Sequence, residues 1–162
     1  MTAPPVIRIA GPEDAPALHA AIARLAEHLG MPEKHVATPG DYARHGLGDG
    51  TLFRALLAEA GGATCGAATF LPEFSTLRGK PGVFLQDLWV APEHRGSGLG
   101  RRLLAAVARE AAAWQAAYLT VSAHTGNPGA IAFYRSLGFT TDENELSFVA
   151  EGDAYTRLGE TP

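Results

Sequence analysis

Apolar residues recur early in the chain at Leu18, Ile22, Leu25 and Leu29, a spacing that lines one face of a helix. Gly30 and Pro32 end that helix, Asp14 is placed to cap its start, and Val6 to Ile9 reads as a short strand before the Gly11-Pro12 turn. Residues 31–50 break the pattern with polar, Gly and Pro residues, and they predict a variable, partly mobile segment with one short helix near Asp41 to His45. Leu52 to Ala58 and Thr64 to Leu71 are two apolar runs joined through Gly61-Gly62, the signature of an antiparallel hairpin. Val83 to Val90 predicts a third strand, which carries the polar pair Gln86-Asp87 in its middle.

A glycine-rich turn follows Ala91-Pro92, and then Leu103, Leu104, Val107, Ala111 and Trp114 fall within one helical face of about 100°. Arg102 and Arg109 lie opposite, toward solvent. Tyr118 to Ser122 predicts a strand, and Asn127-Pro128 opens another helix that Gly138 follows. Leu146 to Val149 and Ala154 to Leu158 are candidates for a last antiparallel pair.

The length, 162 residues, suits one domain with a continuous core. Cys65 is the only cysteine, so no intrachain disulfide forms, and its apolar setting reads as core rather than nucleophile. The six histidines show no paired helical spacing and no partner cysteines, so no metal site is expected. A formal net charge of −4 opposes binding to nucleic acid or an anionic membrane and suits a cationic small molecule. Neither a secretory leader at Met1 to Pro5 nor a membrane-spanning stretch is legible, which reads as a soluble, cytoplasmic protein.

The sharpest signal is Arg95-Gly96-Ser97-Gly98-Leu99-Gly100 between an apolar strand and an amphipathic helix. Glycines there let successive N–H groups converge, and the new helix adds its unpaired N–H groups and the positive end of its dipole. Such a turn holds a diphosphate, with Arg95, Arg101 and Arg102 adding charge nearby. A nucleotide-triphosphate loop needs a Gly-Lys-Ser/Thr ending, and a dinucleotide fingerprint needs its third glycine one residue later; both fail here.

The stretch Val90-Ala91-Pro92-Glu93-His94-Arg95-Gly96-Ser97-Gly98-Leu99-Gly100 resembles the acetyl-CoA motif of the GNAT superfamily of N-acetyltransferases. The resemblance implies a mixed α/β fold, with a mostly antiparallel, twisted sheet flanked by helices over the single domain 1–162. It also implies that the turn's backbone from Arg95 to Arg101 holds the coenzyme A diphosphate, while Leu88 and Val90 at the strand end pair with the pantetheine arm. Phe74-Ser75-Thr76-Leu77 and Leu85-Gln86-Asp87 resemble the diamine branch, the spermidine/spermine and thialysine acetyltransferases. Leu77 stands where that branch has Trp, and Gln86 where it has Glu. The resemblance further implies a homodimer, and it puts residues 31–50 over the substrate side.

An alkylamine with a pKa near 10.4 costs about 4–5 kcal/mol to deprotonate at pH 7, so a proton acceptor is useful. On a regular strand Asp87 shares a side with Leu85 and Trp89 while Gln86 points the other way. Asp87 then either orients the ammonium and takes its proton through water, or caps a neighbouring group as a structural aspartate. Gln86 cannot take a proton, which favours ordered water or another carboxylate as base. Tyr134, seven residues after Asn127 as in the family pattern, is the candidate general acid for the departing thiolate, while Asn127 reads as a helix cap and coenzyme contact. His124 reads as loop. The chemistry expected is direct transfer from acetyl-CoA to a small primary amine, with a backbone N–H at the end of the Val83 to Val90 strand polarising the carbonyl. Two other readings stand beside it: a non-catalytic coenzyme A-binding module, and acetylation of a protein or peptide.

Overall fold

The hairpin at Gly61-Gly62 forms, with both glycines at positive φ (57° and 79°) as a tight two-residue turn requires. It joins β2 (Arg54–Ala60) to β3 (Ala63–Ser75). The computed structural model describes residues 4–48, 52–145 and 147–160. Residues through Asn127 make one compact unit and residues from Pro128 a second.

In the first unit, β1 (Val6–Ile9), β2, β3, β4 (Lys80–Val90) and β5 (Leu119–Val121) form one sheet in chain order. The first three pairings are antiparallel, and β4 with β5 is parallel. Helix α1 (Ala15–His28) follows β1, α2 (Pro39–His45) precedes β2, and α3 (Leu99–Ala111) makes the crossover from β4 to β5. Residues 31–48 thus contain more order than their composition suggests. In α2, the Thr38 hydroxyl accepts the Asp41 N–H at 3.3 Å and the Asp41 carboxylate accepts the Thr38 N–H at 2.8 Å. No helix among the described residues is long and apolar enough to cross a membrane.

The two faces of the sheet separate cleanly. Toward α3 lie Gly66, Ala68 and Phe70; a β-carbon at Gly66 would stand 3.0 Å from Leu103, so the glycine admits the helix. Leu103, Leu104, Val107 and Ala111 bury the facing stripe that the spacing predicts, and Leu99 is buried beside them. Trp114 lies just beyond α3 in a short turn and donates its indole N–H to the Gly82 carbonyl at 2.9 Å. On the opposite face, Arg24 of α1 lies over the Trp89 ring at 5.9 Å.

β4 is not a regular strand. Thr69 pairs with Asp87 and its neighbour Phe70 pairs with Leu85, so Gln86 is an extra residue, a β-bulge. Cross-strand partners share a face, and Thr69 and Phe70 point oppositely. Asp87 therefore shares the α1 face with Trp89, while Leu85 turns to the α3 core. The expected grouping of Leu85 with Asp87 is corrected here, because alternation fails across a bulge.

Asp14 does not cap α1 with its side chain. Its carboxylate accepts the Gly11 N–H at 2.8 Å and two bonds from Arg8 at 2.7 and 2.8 Å, and Arg8 also reaches Glu59 at 2.8 Å. The guanidinium beside it holds Asp14 below the usual carboxylate range. This clasp ties β1, β2 and the start of α1.

In the second unit, α4 (Pro128–Ser136) starts at proline and stops before Gly138, at φ 87°, as predicted. The proposed last strand pair does not form among the described residues. Ala154 to Leu158 lies inside a helix, α5 (Asp153–Gly159), and Ser147 to Val149 is irregular; Leu146 lies outside the described residues. Ala154, Tyr155 and Leu158 fall at one-sided helical spacing rather than alternating, and Asp153 suits a helix's first turn.

Asp14→Ala is expected to lower stability at pH 7 by about 1–2 kcal/mol, since charge-assisted bonds are lost while Arg8 stays partly solvated. Because folding lowers the Asp14 pKa, its contribution is complete above the ordinary carboxylate value and lost as pH falls through the folded one. Urea unfolding of both proteins from pH 7 to pH 3 should show the gap closing in acid.

Candidate active site

The glycine turn takes the shape its sequence implied. Gly96 and Gly98 have φ of 73° and 84°, where a side chain would strain the backbone, and open space surrounds both Cα atoms. Gly98 is the N-cap of α3. The Arg102 N–H closes on the Gly98 carbonyl at 3.1 Å, so the N–H groups of Leu99, Gly100 and Arg101 have no partner inside the helix. The Ser97 hydroxyl donates to the His94 carbonyl at 2.6 Å and braces the turn. Arg95 and Arg101 are exposed, and Arg95 donates from Nε to the Val90 carbonyl at 3.1 Å.

The strand leading into this turn has an open edge. β5 pairs with β4 only at Val83, Phe84 and Leu85; from Gln86 to Val90, β4 is paired on its β3 side alone among the described residues. Leu88 and Val90 stand opposite Ala68 and Gly66 on the α3 face. This edge begins at the bulge and runs to the turn.

Asp87 lies on the α1 face of the same stretch. Its carboxylate accepts the Thr69 hydroxyl at 2.5 Å, and burial pushes its pKa above the ordinary carboxylate value. The Thr69 bond and the charge of His35 oppose that rise. Gln86, the bulged residue, is exposed.

A family model described as "Acetyltransferase (GNAT) family" matches residues 24–139 of the chain. The chain belongs to that family. Thialysine N-epsilon-acetyltransferase of Mus musculus is 30% identical over 124 residues, covering 70% of this chain and 72% of the relative. An integron cassette protein from the mobile metagenome of V. cholerae has the same fold, with TM-score 0.80, 21% identity and coverage of 98% and 99% of the two chains. An aminoglycoside acetyltransferase from a soil metagenomic sample, in complex with sisomicin, aligns with TM-score 0.75 at 19% identity over 92% and 97%.

Family membership makes the protein an acetyl-CoA-dependent acetyltransferase. The site fits that co-substrate: a turn presents unpaired N–H groups to an anion, and an open strand edge offers backbone to an extended amide-bearing arm.

Within the acetyltransferase's second unit, the Tyr134 ring packs against Phe133 and Phe139 at 5.2 and 5.3 Å between centroids. Asn127 ends the first unit, its N–H donating to the His124 carbonyl at 2.9 Å. His124 is exposed and accepts the Gly126 N–H at 3.0 Å, in keeping with a loop role. Cys65 is buried, and burial pushes its thiol up, the reverse of what a nucleophile needs. Among the described residues no group of three or more His, Cys, Asp and Glu has the geometry to hold a metal ion.

Sequence reasoning missed the neighbours of Asp87. Thr69 is bonded to it, and His35 and Tyr42, placed by the 32–45 segment that composition marked only as variable, lie within its electrostatic reach. Burial and the Asp87 charge together push Tyr42 up to about 12. The available signal was an aromatic residue on the one helical turn of that segment.

Thr69→Val removes a donor that favours the charged carboxylate, so Asp87 should titrate at higher pH than in the wild type. Carboxyl-carbon NMR across a pH series checks this, and an unmoved or lowered midpoint contradicts the assignment.

Proposed function

We propose that this acetyltransferase moves the acetyl group of acetyl-CoA directly onto a primary amine of a small molecule, with a diamine, polyamine or amino-acid-like amine as the class. The observation that carries the reading is Asp87, a partly buried carboxylate with a raised pKa on the strand that leads to the glycine turn. Such a group attracts an ammonium ion, and its raised basicity narrows the gap to the proton it must help remove. The relatives, a thialysine N-epsilon-acetyltransferase and an aminoglycoside acetyltransferase, support a small-molecule amine.

In this reading acetyl-CoA supplies an activated acyl group, and the chain supplies position and proton traffic. The amides from Gly96 to Arg101 bind the diphosphate, with Arg95 and Arg101 adding charge. Leu88 and Val90 present backbone to the pantetheine arm, and a backbone N–H at the end of β4 polarises the carbonyl oxygen. Asp87 holds the amine and receives its proton, directly or through water. Tyr134 returns a proton to the thiolate, since a phenol and an alkyl thiol have comparable pKa values. Gln86 contributes no proton transfer, and its exposure at the bulge gives it a backbone role, that of setting the face on which Asp87 emerges. The homodimer implied by the diamine-branch resemblance belongs to this proposal, and exposed Phe74 and Leu77 are apolar surface available to it.

The test is release of free thiol from acetyl-CoA across diamines, amino acids and aminoglycosides. At least one amine should turn over, and Asp87→Asn should lower kcat/KM by roughly 10²–10⁴-fold, the usual contribution of a positioned acid or base. In the wild type the acidic fall of kcat/KM should lie above the ordinary carboxylate range, because protonated Asp87 neither attracts nor deprotonates the amine. Turnover confined to peptides, or an Asp87→Asn variant as active as the wild type, would overturn the assignment.

A further inference from the structure

Among the described residues the polar or charged side chains buried with the core are Asp14 and Thr69, and Asp14 is accounted for by its clasp with Arg8. Thr69 is 3% exposed and lies in the middle of β3. A buried hydroxyl costs stability unless it is bonded, and valine fills nearly the same volume on a strand without that cost. Packing therefore does not call for the hydroxyl. Its bond goes to Asp87, with 2.5 Å between Oγ1 and Oδ2.

The register sets the geometry of that bond. Thr69 and Asp87 stand directly opposite each other, in the pair that adjoins the skipped residue Gln86. Directly opposite residues have β-carbons about 4.5–5.5 Å apart, which lets a hydroxyl meet a carboxylate without stretching either side chain. Threonine is β-branched and stiff at its first torsion, so the hydroxyl keeps its direction. Oδ2 of Asp87 is thereby engaged. Oδ1 takes no bond from a described residue, and no buried side-chain oxygen among those residues lacks a partner, so Oδ1 reaches solvent. One oxygen of the carboxylate is tied to the sheet and the other is open.

We infer that Thr69 is a positioning residue for the acceptor amine: its hydroxyl holds one oxygen of Asp87 so that the other faces the incoming ammonium group. The inference rests on the reading of Asp87 as the group that holds the amine. Because Thr69 acts through the carboxylate, its hydroxyl should matter only while the carboxylate is there. His35 and Tyr42 lie in electrostatic reach of Asp87. They meet each other at 2.9 Å, with the His19 ring 4.8 Å from that of His35, and they are the same in every variant compared below.

Thr69→Val keeps the shape and removes the donor, whereas Thr69→Ser keeps the donor and removes a methyl group. With the fastest-reacting amine of the thiol-release panel at pH 8 and saturating acetyl-CoA, kcat/KM should fall roughly tenfold in Thr69→Val, the order of one charge-assisted hydrogen bond. Thr69→Ser should recover most of that loss. In the Asp87→Asn background the same Thr69→Val change should alter kcat/KM by less than about twofold, an outcome that a purely structural role would not produce. The acidic fall of kcat/KM should move to higher pH in Thr69→Val and return in Thr69→Ser, since the lost donor favours the anion. Losses that add in the double variant, or a serine variant as impaired as the valine one, overturn the inference. If Thr69→Val fails to fold, Thr69→Ala takes its place in the same comparison. If no amine of the panel turns over, the proposed function fails and binding decides the inference. The Asp87 carboxyl-carbon NMR signal, identified by its loss in Asp87→Asn, should then shift on titration with putrescine at pH 8 in the wild type and Thr69→Ser, and much less in Thr69→Val. No shift in the wild type, or an equal shift in Thr69→Val, overturns it.

Discussion

At Gln86 the backbone of β4 slips one step against β3, and two consequences follow from that slip. Leu85 turns into the core beneath α3, where it is fully buried, while Asp87 emerges on the opposite face beside Thr69. The same point marks the end of pairing with β5, so among the described residues no strand pairs with the backbone beyond it on that side. A bulge leaves an unpaired residue and a local bend, a loss that a continuous ladder would avoid. Here it delivers a partly buried carboxylate and a strand edge from a single stretch that then runs into the glycine turn.

The electrostatics of Asp87 are those of a compromise. Burial favours its protonated form, whereas the Thr69 hydroxyl and the His35 charge favour its anion. A carboxylate buried without such partners would be neutral and useless for holding a cation; one fully solvated would be a poor base. Asp14, elsewhere in the same unit, shows the other extreme, where direct bonds from Arg8 outweigh burial and the group serves structure.

Much of this was legible in the residues themselves. Periodicity placed α1 and α3, the paired glycines placed the β2–β3 turn, and the Arg95 to Gly100 stretch placed the glycine turn that opens α3. The failures have physical causes. Alternation on β4 assumes a regular pleat, and nothing in Leu85-Gln86-Asp87 says that one residue will be skipped. Ala154 to Leu158 was assigned by apolar content, and a strand needs a partner that content does not supply. His19, His35 and Tyr42 come together only once α2 packs on α1, a tertiary event that their scattered positions conceal.

A crystal structure of the coenzyme A complex tests the central claim, that the slip at Gln86 opens β4 for the co-substrate. The account predicts the pantetheine arm lying along Asp87 to Val90 on the edge that β5 leaves free, with the diphosphate on the amides of Gly96 to Arg101. Coenzyme A bound along any other edge of the sheet, with those amides making no contact to it, would contradict the account.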